Sequence, residues 1–433
     1  LGDFFCFELA IWVGLSLRRL NIIGWQEFIK HAPFFSLLFL IWLVVNYINQ
    51  LYDIDQNPDN IAFYRKIWEA AGISLLAGIV FFYLTPIGGI TPKTILVLTV
   101  ISGYSLITIW RWISFTVLLP QVPPKRIAFV GKTDEVRELK QILQNKHTNT
   151  YQVDLLVKDA KNIAKKVKNK NIDIVVIAPR LKENKQDQEE LFQLLFQDIE
   201  LRDLISFYEE ITGRVPPSTF QESWFLDNLG QKNEDFSTKL RRLLDIVVGL
   251  ILSITTLVLS PLIILAIKLN SEGPAFINQK RVGQDECEFT MYKFRSMYAL
   301  TEDGMAEKDG PEFAQKDDDR ITTVGKFLRK TRLDELPQSW NLLKGDLTLI
   351  GPRPERPEIV KQIKQGLPYY ELRHVVKPGL TSWALLHQNY TDTLEETIQK
   401  LQYDLYYIKN RSFLLDLSIG LRTVNVLIKM MGQ

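Results

Sequence analysis

Four apolar segments near the start of the chain constrain its fold more than any other feature. They cover residues 4–17, 34–51, 70–84 and 94–119, and each has roughly the length of a membrane crossing, with Trp or Tyr near several ends. Helices buried in a soluble protein are the alternative, but so many apolar segments leave too little polar sequence to cover them. Residues 1–120 are therefore predicted to form a four-helix transmembrane bundle.

The basic residues around these segments predict the orientation of the bundle. Lys125 and Arg126 follow the fourth segment, and the positive-inside bias then places the rest of the chain in the cytoplasm. Arg18, Arg19 and Lys30 in the first loop point the other way. We expect a multi-pass protein of the bacterial inner membrane whose remaining domains face the cytoplasm.

Composition excludes several classes of function. The chain has 433 residues, 46% of them hydrophobic, which is enough for two or three units with their own cores. A formal net charge of +2 argues against nucleic acid as a partner. Cys6 and Cys287 are the two cysteines, and neither has Cys or His neighbours at ligand spacing, so a disulfide framework or a zinc site is not supported.

Residues 121–230 have the pattern of a parallel α/β domain. Residues 126–131 and 171–179 resemble buried strands, and residues 134–143 and 187–196 resemble amphipathic helices. The first turn lacks the later glycines that let a pyrophosphate approach backbone N–H groups. The sequence predicts a Rossmann-like cytoplasmic domain, and whether it binds a nucleotide or another effector stays open.

A second apolar run, residues 243–269, is interrupted by Ser260 and Pro261. Proline cannot donate a backbone hydrogen bond, so the helix is expected to bend there, with Ser260 satisfying a freed carbonyl. Basic residues flank both ends: Lys239, Arg241 and Arg242 before the run, and Lys268, Lys280 and Arg281 after it. This favours both ends on one side of the membrane, as in a re-entrant helix, over an ordinary kinked transmembrane helix.

The run from Thr331 to Pro354 places the adjacent carboxylates Asp334 and Glu335 among basic side chains and rigid turns. A carboxylate can attack phosphorus to form an acyl phosphate if cations offset the negative charges. Arg329, Lys330, Arg332 and Arg353 are near enough in sequence to supply such charge. A solvated surface loop is the alternative.

Three further features accompany this run. Lys293 and Arg295 alternate with bulky apolar residues, which predicts an extended piece that displays its cations on one side. The acidic residues 317–319 precede an amphipathic helix, which they could cap, or they could bind a metal. Asp404 lies within an aromatic helix. It has a functional role only if its side chain points to the site of Asp334 and Glu335, and otherwise it is a solvated surface charge.

These motifs resemble those of the bacterial sugar transferases, which move a hexose 1-phosphate from a nucleotide sugar to a polyprenyl phosphate. The resemblance runs from about Lys239 to the C-terminus and includes separate motifs in the family's order: Ser260-Pro261, Gln279 to Gly283, Lys293-Phe-Arg-Ser-Met297, Asp317 to Thr322, Leu333-Asp-Glu-Leu-Pro-Gln338, Gly351-Pro-Arg-Pro354, Lys377-Pro-Gly379 and Asp404-Leu-Tyr-Tyr407. The N-terminal half is similar to that of the longer family members. The resemblance implies a membrane protein of α and α/β class, whose mainly α catalytic domain spans residues 236–433.

The resemblance also implies a reaction and its site. Asp334 would be the nucleophile that attacks a UDP-sugar, releases UMP and carries the phosphosugar until polyprenyl (undecaprenyl) phosphate accepts it. Glu335 and Asp334 would hold Mg²⁺, and five residues would bind substrate: Lys293, Arg295, Arg329, Arg353 and Asp404. The expected partners are UDP-sugar, polyprenyl phosphate and the lipid bilayer, and a homodimer is open.

The chain departs from its relatives at one loop. Residues 382–387 read Ser-Trp-Ala-Leu-Leu-His, where relatives usually have Gly-Trp-Ala-Gln-Val-Asn after the threonine. The sugar and the glycan pathway (exopolysaccharide, capsule or O-antigen) are therefore not predicted. A membrane-bound nucleotide-sugar dehydratase and a non-catalytic assembly scaffold are the alternative functions. The first would need a glycine-rich cofactor loop, and the carboxylate pair with Arg353 argues against the second.

Overall fold

The computed structural model of this chain describes residues 2–52, 61–85, 93–118, 123–146, 150–182, 184–229, 235–301, 304, 306, 318–388 and 393–428. Its contacts divide the chain into two compact units, Leu1–Asp203 and Leu204–Gln433. We describe each unit by itself.

The first unit begins with four long helices: α1 (Gly2–Arg19), α2 (Trp25–Ile48), α3 (Ile61–Leu84) and α4 (Lys93–Ile113), the last followed by a π-helical turn, Ser114–Leu118. Three segments of this bundle are long and apolar enough to cross a membrane: Trp25–Ile48, Phe63–Leu84 and Thr94–Val117. Aromatic rings fill the centre of the bundle. The centroid of the Phe7 ring lies 5.2 Å from that of Phe39 and 5.5 Å from that of Tyr104. The apolar N-terminal segments thus form the predicted helices.

Polar residues inside this bundle bind one another. Arg111 pairs with Asp3 at 2.9 Å, and the Tyr104 hydroxyl donates to the side-chain oxygen of Asn46 at 2.8 Å. Ser74 lies 2.7 Å from the same hydroxyl. Because an unpaired polar group is expensive in an apolar interior, these contacts between helices stabilise the bundle.

A four-stranded parallel sheet completes the first unit. Its strands are β1 (Lys125–Val130), β2 (Tyr151–Val157), β3 (Ile174–Ile177) and β4 (Glu200–Asp203), in the order β2-β1-β3-β4, and its helices are α5 (Asp134–Lys146), α6 (Ile163–Lys170) and α7 (Lys185–Phe192). Gly131 follows β1 with a φ of +117°, and a Cβ there would lie 2.4 Å from the Cβ of Ala178. Only glycine fits this turn, so Gly131 serves the close approach of β1 to the end of β3.

The second unit begins at α8 (Leu204–Thr212) and α9 (Glu222–Leu229), which the sequence pattern assigned to the Rossmann-like domain. The remaining elements are α10 (Asp235–Asn270), β5 (Phe276–Val282), β6 (Glu288–Phe294), α11 (Thr323–Thr331), α12 (Ser339–Lys344), β7 (Thr348–Ile350), α13 (Pro357–Gly366), β8 (Gly379–Thr381), α14 (Trp383–His387), α15 (Leu394–Lys409) and α16 (Phe413–Ile428). Strands β5 and β6 form an antiparallel hairpin, and β7 pairs with β8 in parallel. The boundary differs from the predicted one because residues 204–229 pack on the C-terminal helices.

Helix α10 runs for 36 residues and continues through Pro261. The hydroxyl of Ser260 donates to the carbonyl of Thr256 at 2.6 Å. Pro261 has no N–H to donate to the carbonyl of Leu257. The Ser260 hydroxyl does not replace that N–H, since it donates to the carbonyl of Thr256, four residues before it. The expectation that Ser260 satisfies the freed carbonyl is wrong in this respect.

Both halves of α10 are attached to the second unit. Near its start, Arg241 pairs with Asp416 at 2.5 Å, and Asp245 accepts the Leu349 N–H at 2.8 Å. Near its end, Ile263 and Ile267 pack in one cluster with Phe294, Leu328 and Ala275. The opposite side is apolar and exposed at Leu243, Val247, Leu250, Ile251, Ile254, Leu257, Val258, Leu262, Leu265 and Leu269. The helix thus has one side on its own unit and one side free for an apolar surrounding.

Candidate active site

Asp334 and Glu335 lie in a 3₁₀ turn, Leu333–Gln338, between α11 and α12. Arg332 ends α11 in the left-handed region, with a φ of +58°, and directs the chain into this turn. The turn packs on β6 and on α10, where the Thr256 hydroxyl lies 3.2 Å from the Leu336 carbonyl and 2.7 Å from the Leu252 carbonyl of its own helix. The adjacent carboxylates are therefore held against β6 and α10.

Three cations surround one oxygen of Glu335. The Oε1 atom lies 2.7 Å from Arg353, 3.4 Å from Lys293 and 3.6 Å from Arg332. Burial opposes ionisation of Glu335, but the charges of these three residues outweigh it and lower the pKa of the carboxyl. Burial lowers the pKa of Lys293, whereas the Glu335 charge raises the pKa of Arg353. Glu335 is thus ionised at neutral pH.

Asp334 has the opposite electrostatic character. It is 8% exposed, and its Oδ1 atom is buried without a hydrogen-bond partner. Burial first, and then the charge of Glu335, raise the pKa of Asp334 to about 6, although Lys293, Arg329 and Arg332 act against the shift. A carboxylate with few hydrogen bonds and a raised pKa is the better nucleophile of the two.

Arg353 reaches Glu335 from the loop that follows β7. Its own carbonyl accepts a hydrogen bond from Arg373 at 2.8 Å. Two residues later, Glu355 pairs with Lys400 at 2.5 Å and lies 3.7 Å from Arg281. Burial opposes ionisation there, but the charges of Lys400, Arg373 and Arg281 lower the pKa of Glu355 to about 2. The loop is fixed on both sides of Arg353.

Arg373 connects Asp404 to this loop. Both side chains are 2% exposed, and their closest atoms are 2.9 Å apart. The Tyr370 hydroxyl accepts from the same guanidinium at 2.5 Å. Sequence reasoning did not find Arg373, because it lies outside the recognised motifs. The signal was indirect, since a carboxylate in an aromatic helix needs a buried cation.

Arg295 binds backbone carbonyls near the end of α10. Its guanidinium donates to the carbonyls of Ser271 and Glu272, at 2.7 and 2.6 Å, just after α10 ends. The side chain is 1% exposed. In this position it satisfies carbonyls beyond a helix C-terminus. Among the expected binding residues, Lys293 and Arg353 contact Glu335, Arg329 acts on Asp334 through its charge, and Asp404 acts through Arg373.

The acidic residues before α11 have another role. Asp317 lies outside the described residues, and Asp318 pairs with Arg320 at 2.7 Å. The cap of α11 is Thr322, whose hydroxyl accepts the Gly325 N–H at 2.9 Å. The helix is thus capped by a threonine, and the expectation that the acidic run caps it is wrong for Asp318.

The carboxylate pair has the chemistry that a magnesium ion needs. Within the described ranges, no three His, Cys, Asp or Glu residues come together to hold a metal. Mg²⁺ usually takes only one or two carboxylates and completes its shell with water and substrate phosphates. The unpartnered Oδ1 of Asp334, next to the ionised Glu335, fits this donor set.

The loop at residues 382–387 forms an aromatic cluster. The Trp383 and His387 rings lie 4.2 Å apart, and the His387 ring stacks on Tyr403 at 5.1 Å. The Trp383 indole donates to the carbonyl of Gly213 at 2.7 Å. This loop packs between α15 and the segment before α9, and its contacts give no indication of sugar choice.

Comparison with known proteins identifies the region that carries the site. The profile of a family described as bacterial sugar transferase matches residues 236–430. A protein of Aeromonas hydrophila named UDP-N-acetylgalactosamine-undecaprenyl-phosphate N-acetylgalactosaminephosphotransferase is 39% identical over 227 residues, which are 52% of this chain and 51% of that protein.

Two proteins named UDP-glucose:undecaprenyl-phosphate glucose-1-phosphate transferase are also similar. The one from Klebsiella pneumoniae is 33% identical over 66% of this chain and 61% of its own length, and the one from Caulobacter vibrioides is 39% identical over 42% of this chain and 68% of its own length. The chain thus spans between half and two thirds of the Aeromonas and Klebsiella proteins.

Proposed function

The chain belongs to the bacterial sugar transferase family, and we propose that it transfers a sugar 1-phosphate from a UDP-sugar to a polyprenyl phosphate such as undecaprenyl phosphate. One observation carries the proposal: a buried carboxylate, Asp334, has an unpartnered oxygen beside a cluster of three cations. The relatives' names differ in the sugar they state, so the sugar stays open.

In the first step, an oxygen of Asp334 attacks the sugar-bearing phosphorus of the UDP-sugar. A phosphorus–oxygen bond forms, and the bond from that phosphorus to the oxygen bridging the two phosphates breaks. UMP leaves with this oxygen and its electron pair, and the phosphosugar remains on Asp334 as an acyl phosphate. The step transfers no proton.

In the second step, an oxygen of the polyprenyl phosphate attacks the same phosphorus. The bond to Asp334 breaks, which restores the carboxylate and gives a polyprenyl diphosphate sugar. Both steps bring anions together, so they depend on cations. A guanidinium has five N–H donors and an ammonium has three, so Arg353 and Lys293 retain donors for phosphate oxygens beside their contacts with Glu335.

Magnesium would supply further positive charge to the phosphates of the substrate. Asp334 and Glu335 are the residues that would hold it. Glu335 also fixes Arg353 and Lys293, so its charge orients the cations that face the phosphates.

The lipid acceptor requires a site near the membrane, and α10 supports such a position. Its two halves are attached to one compact unit, whereas its other side is apolar and exposed. A full crossing would separate the ends of a helix that the same unit holds. We therefore infer that α10 enters the inner membrane from the cytoplasmic side and returns with both ends on that side.

Trapping of the intermediate tests the proposal. Membranes that contain the wild-type chain are incubated with radiolabelled UDP-sugars without lipid acceptor, and the chain is then isolated under denaturing conditions. We expect a labelled chain that loses its label when undecaprenyl phosphate is added. Asp334→Asn should give no labelled chain and no product, because an amide does not form the acyl phosphate.

Glu395→Gln is the matched control, since Glu395 is an exposed carboxylate of the same unit and lies outside the motifs of the site. It should label and turn over as the wild type does. Near-normal turnover by Asp334→Asn would contradict the proposal. A folded wild-type chain that transfers no sugar phosphate from any UDP-sugar would favour the scaffold alternative.

A further inference from the structure

The segment formed by residues 204–229, which we call the 204–229 segment, packs on the helix that supports the Arg353 loop. Lys409 of α15 pairs with both oxygens of Glu209 at 2.9 Å. Gln402 of the same helix binds Val215 twice: its carbonyl accepts the Val215 N–H at 3.2 Å, and its side chain donates to the Val215 carbonyl at 2.8 Å. The segment is thus attached to α15 by polar contacts two turns apart.

The opposite face of α15 holds the loop around Arg353. Residues 400, 404 and 407 follow the spacing of one helix face, and 402 and 409 lie about half a turn away. Lys400 binds Glu355, and the Tyr407 hydroxyl lies 2.9 Å from the Ile350 carbonyl and 2.7 Å from the Asp416 carboxylate. Asp404 holds Arg373, which donates to the Arg353 carbonyl. Helix α15 therefore lies between the 204–229 segment and the loop that carries Arg353.

The second half of the segment packs beside Arg373. The Phe225 ring lies 4.9 Å from that of Tyr369, and Phe225 and Val215 share one buried cluster with Tyr370, Leu401 and Leu405. Tyr370 is also the residue whose hydroxyl accepts from Arg373. Tyr370 and Asp404, which bind Arg373 through their side chains, are thus on elements that this segment contacts.

We propose that the 204–229 segment is a positioning element of the active site, which holds α15 and Arg373 so that Arg353 stays directed at Glu335. The inference rests on the proposed transfer reaction. Residues upstream of the family motifs would then contribute to the rate of transfer without contacting either substrate. Glu209 of the segment and Gln402 of α15, which binds the segment at Val215, would be positioning residues.

A double-mutant cycle in the full-length chain tests this proposal. Glu209→Gln removes the charge pair with Lys409, and Gln402→Leu removes the hydrogen bond from the Gln402 side chain to the Val215 carbonyl. We expect each to lower kcat for sugar phosphate transfer about tenfold in the wild-type background and less than about twofold in the Arg353→Lys background. A segment that only helps folding would lower the active fraction by the same factor in both backgrounds.

Glu395→Gln is the matched control, because Glu395 is an exposed carboxylate in the first turn of α15. It should leave kcat unchanged. Equal fold-changes in the two Arg353 backgrounds, or wild-type kcat for both Glu209→Gln and Gln402→Leu, would overturn the positioning role. The parent chain is assayed alongside, so a failure of the proposed reaction appears as inactivity of the wild type and is distinct from this outcome.

Discussion

Replacement of Asp334 by asparagine should abolish transfer and at the same time stabilise the folded chain. Burial and the Glu335 charge raise the pKa of Asp334 from 3.8 to about 6. The folded state therefore favours the protonated carboxyl and disfavours the carboxylate that the reaction requires. Asparagine has nearly the same shape and stays neutral at every pH.

The sign and size of the effect follow from linkage. Because the pKa of the folded state lies above that of the unfolded state, stability from the protonated carboxyl is fully present below about pH 4 and is lost as the pH rises through about 6. A rise in the pKa of Asp334 from 3.8 to about 6 corresponds to about 3 kcal/mol of folding free energy. Asp334→Asn does not lose this stability, so it should melt roughly 6 to 12 °C above the wild type at pH 7.5.

The assay is thermal unfolding in detergent, at one scan rate and at pH 4, 6 and 7.5. The difference between Asp334→Asn and the wild type should be near zero at pH 4 and should grow as the pH rises. In the same pH range the wild-type transfer rate should rise, with an acid limb near pH 6, because the carboxylate is the nucleophile. Equal melting temperatures at pH 7.5, or a difference that does not change with pH, would refute this account of Asp334.

Three further predictions concern the support of the site and the seating of α10. Arg295→Met should lower the free energy of unfolding by about 2 to 4 kcal/mol, measured by thermal unfolding, because the carbonyls after α10 lose their hydrogen-bond donor. The KM for the UDP-sugar should stay unchanged, because Arg295 does not contact the substrate on this account. A chain that begins at Leu204 should melt at a higher temperature than one that begins at residue 236, because only the first retains Val215 and Phe225; equal melting temperatures would contradict this. The ends of α10 are tested by labelling with a membrane-impermeant thiol reagent in a chain whose Cys6 is replaced. Native Cys287 should react only in opened cells, and so should Lys239→Cys when Cys287 is replaced by serine. Asn21→Cys should react in intact cells, and reaction of Lys239→Cys there would contradict the re-entrant seating of α10.

Local patterns predicted the elements well where the pattern and the packing agree. The apolar N-terminal segments form long helices, and β1 and β3 are the buried parallel strands expected from residues 126–131 and 171–179. Lys293 was expected on an extended piece and lies on β6, 3.4 Å from Glu335. In each case the periodicity of a single segment contains the needed information.

Contacts between distant residues were not predictable in the same way. Arg295 lies two residues from Lys293 in the same motif, and alternation predicts both cations on one side of an extended piece. That expectation is wrong for Arg295, because β6 ends at Phe294 and Arg295, beyond the strand, binds the chain after α10. Arg373 meets Asp404 only because the chain folds α15 back onto it. The assignment of residues 204–229 depended on packing partners nearly two hundred residues away, such as Lys409, which no local pattern reveals.

The contact between Thr256 and the turn that carries Asp334 leads to a last prediction. The Thr256 hydroxyl of α10 lies 3.2 Å from the Leu336 carbonyl and 2.7 Å from the Leu252 carbonyl of its own helix, and the residue is 4% exposed. If α10 is re-entrant as proposed, this contact sets how deep Asp334 lies relative to the membrane surface. The phosphate of the lipid acceptor lies at that surface. Thr256→Val keeps the shape and removes the hydroxyl, so formation of the labelled Asp334 intermediate should change less than twofold, whereas its transfer to undecaprenyl phosphate should slow by roughly three- to tenfold. Thr255→Val, at a half-buried threonine whose hydroxyl donates to the Ile251 carbonyl within α10, is the control and should alter neither step. If Thr256→Val slowed both steps equally, the contact would serve the turn as a whole and not its position at the membrane.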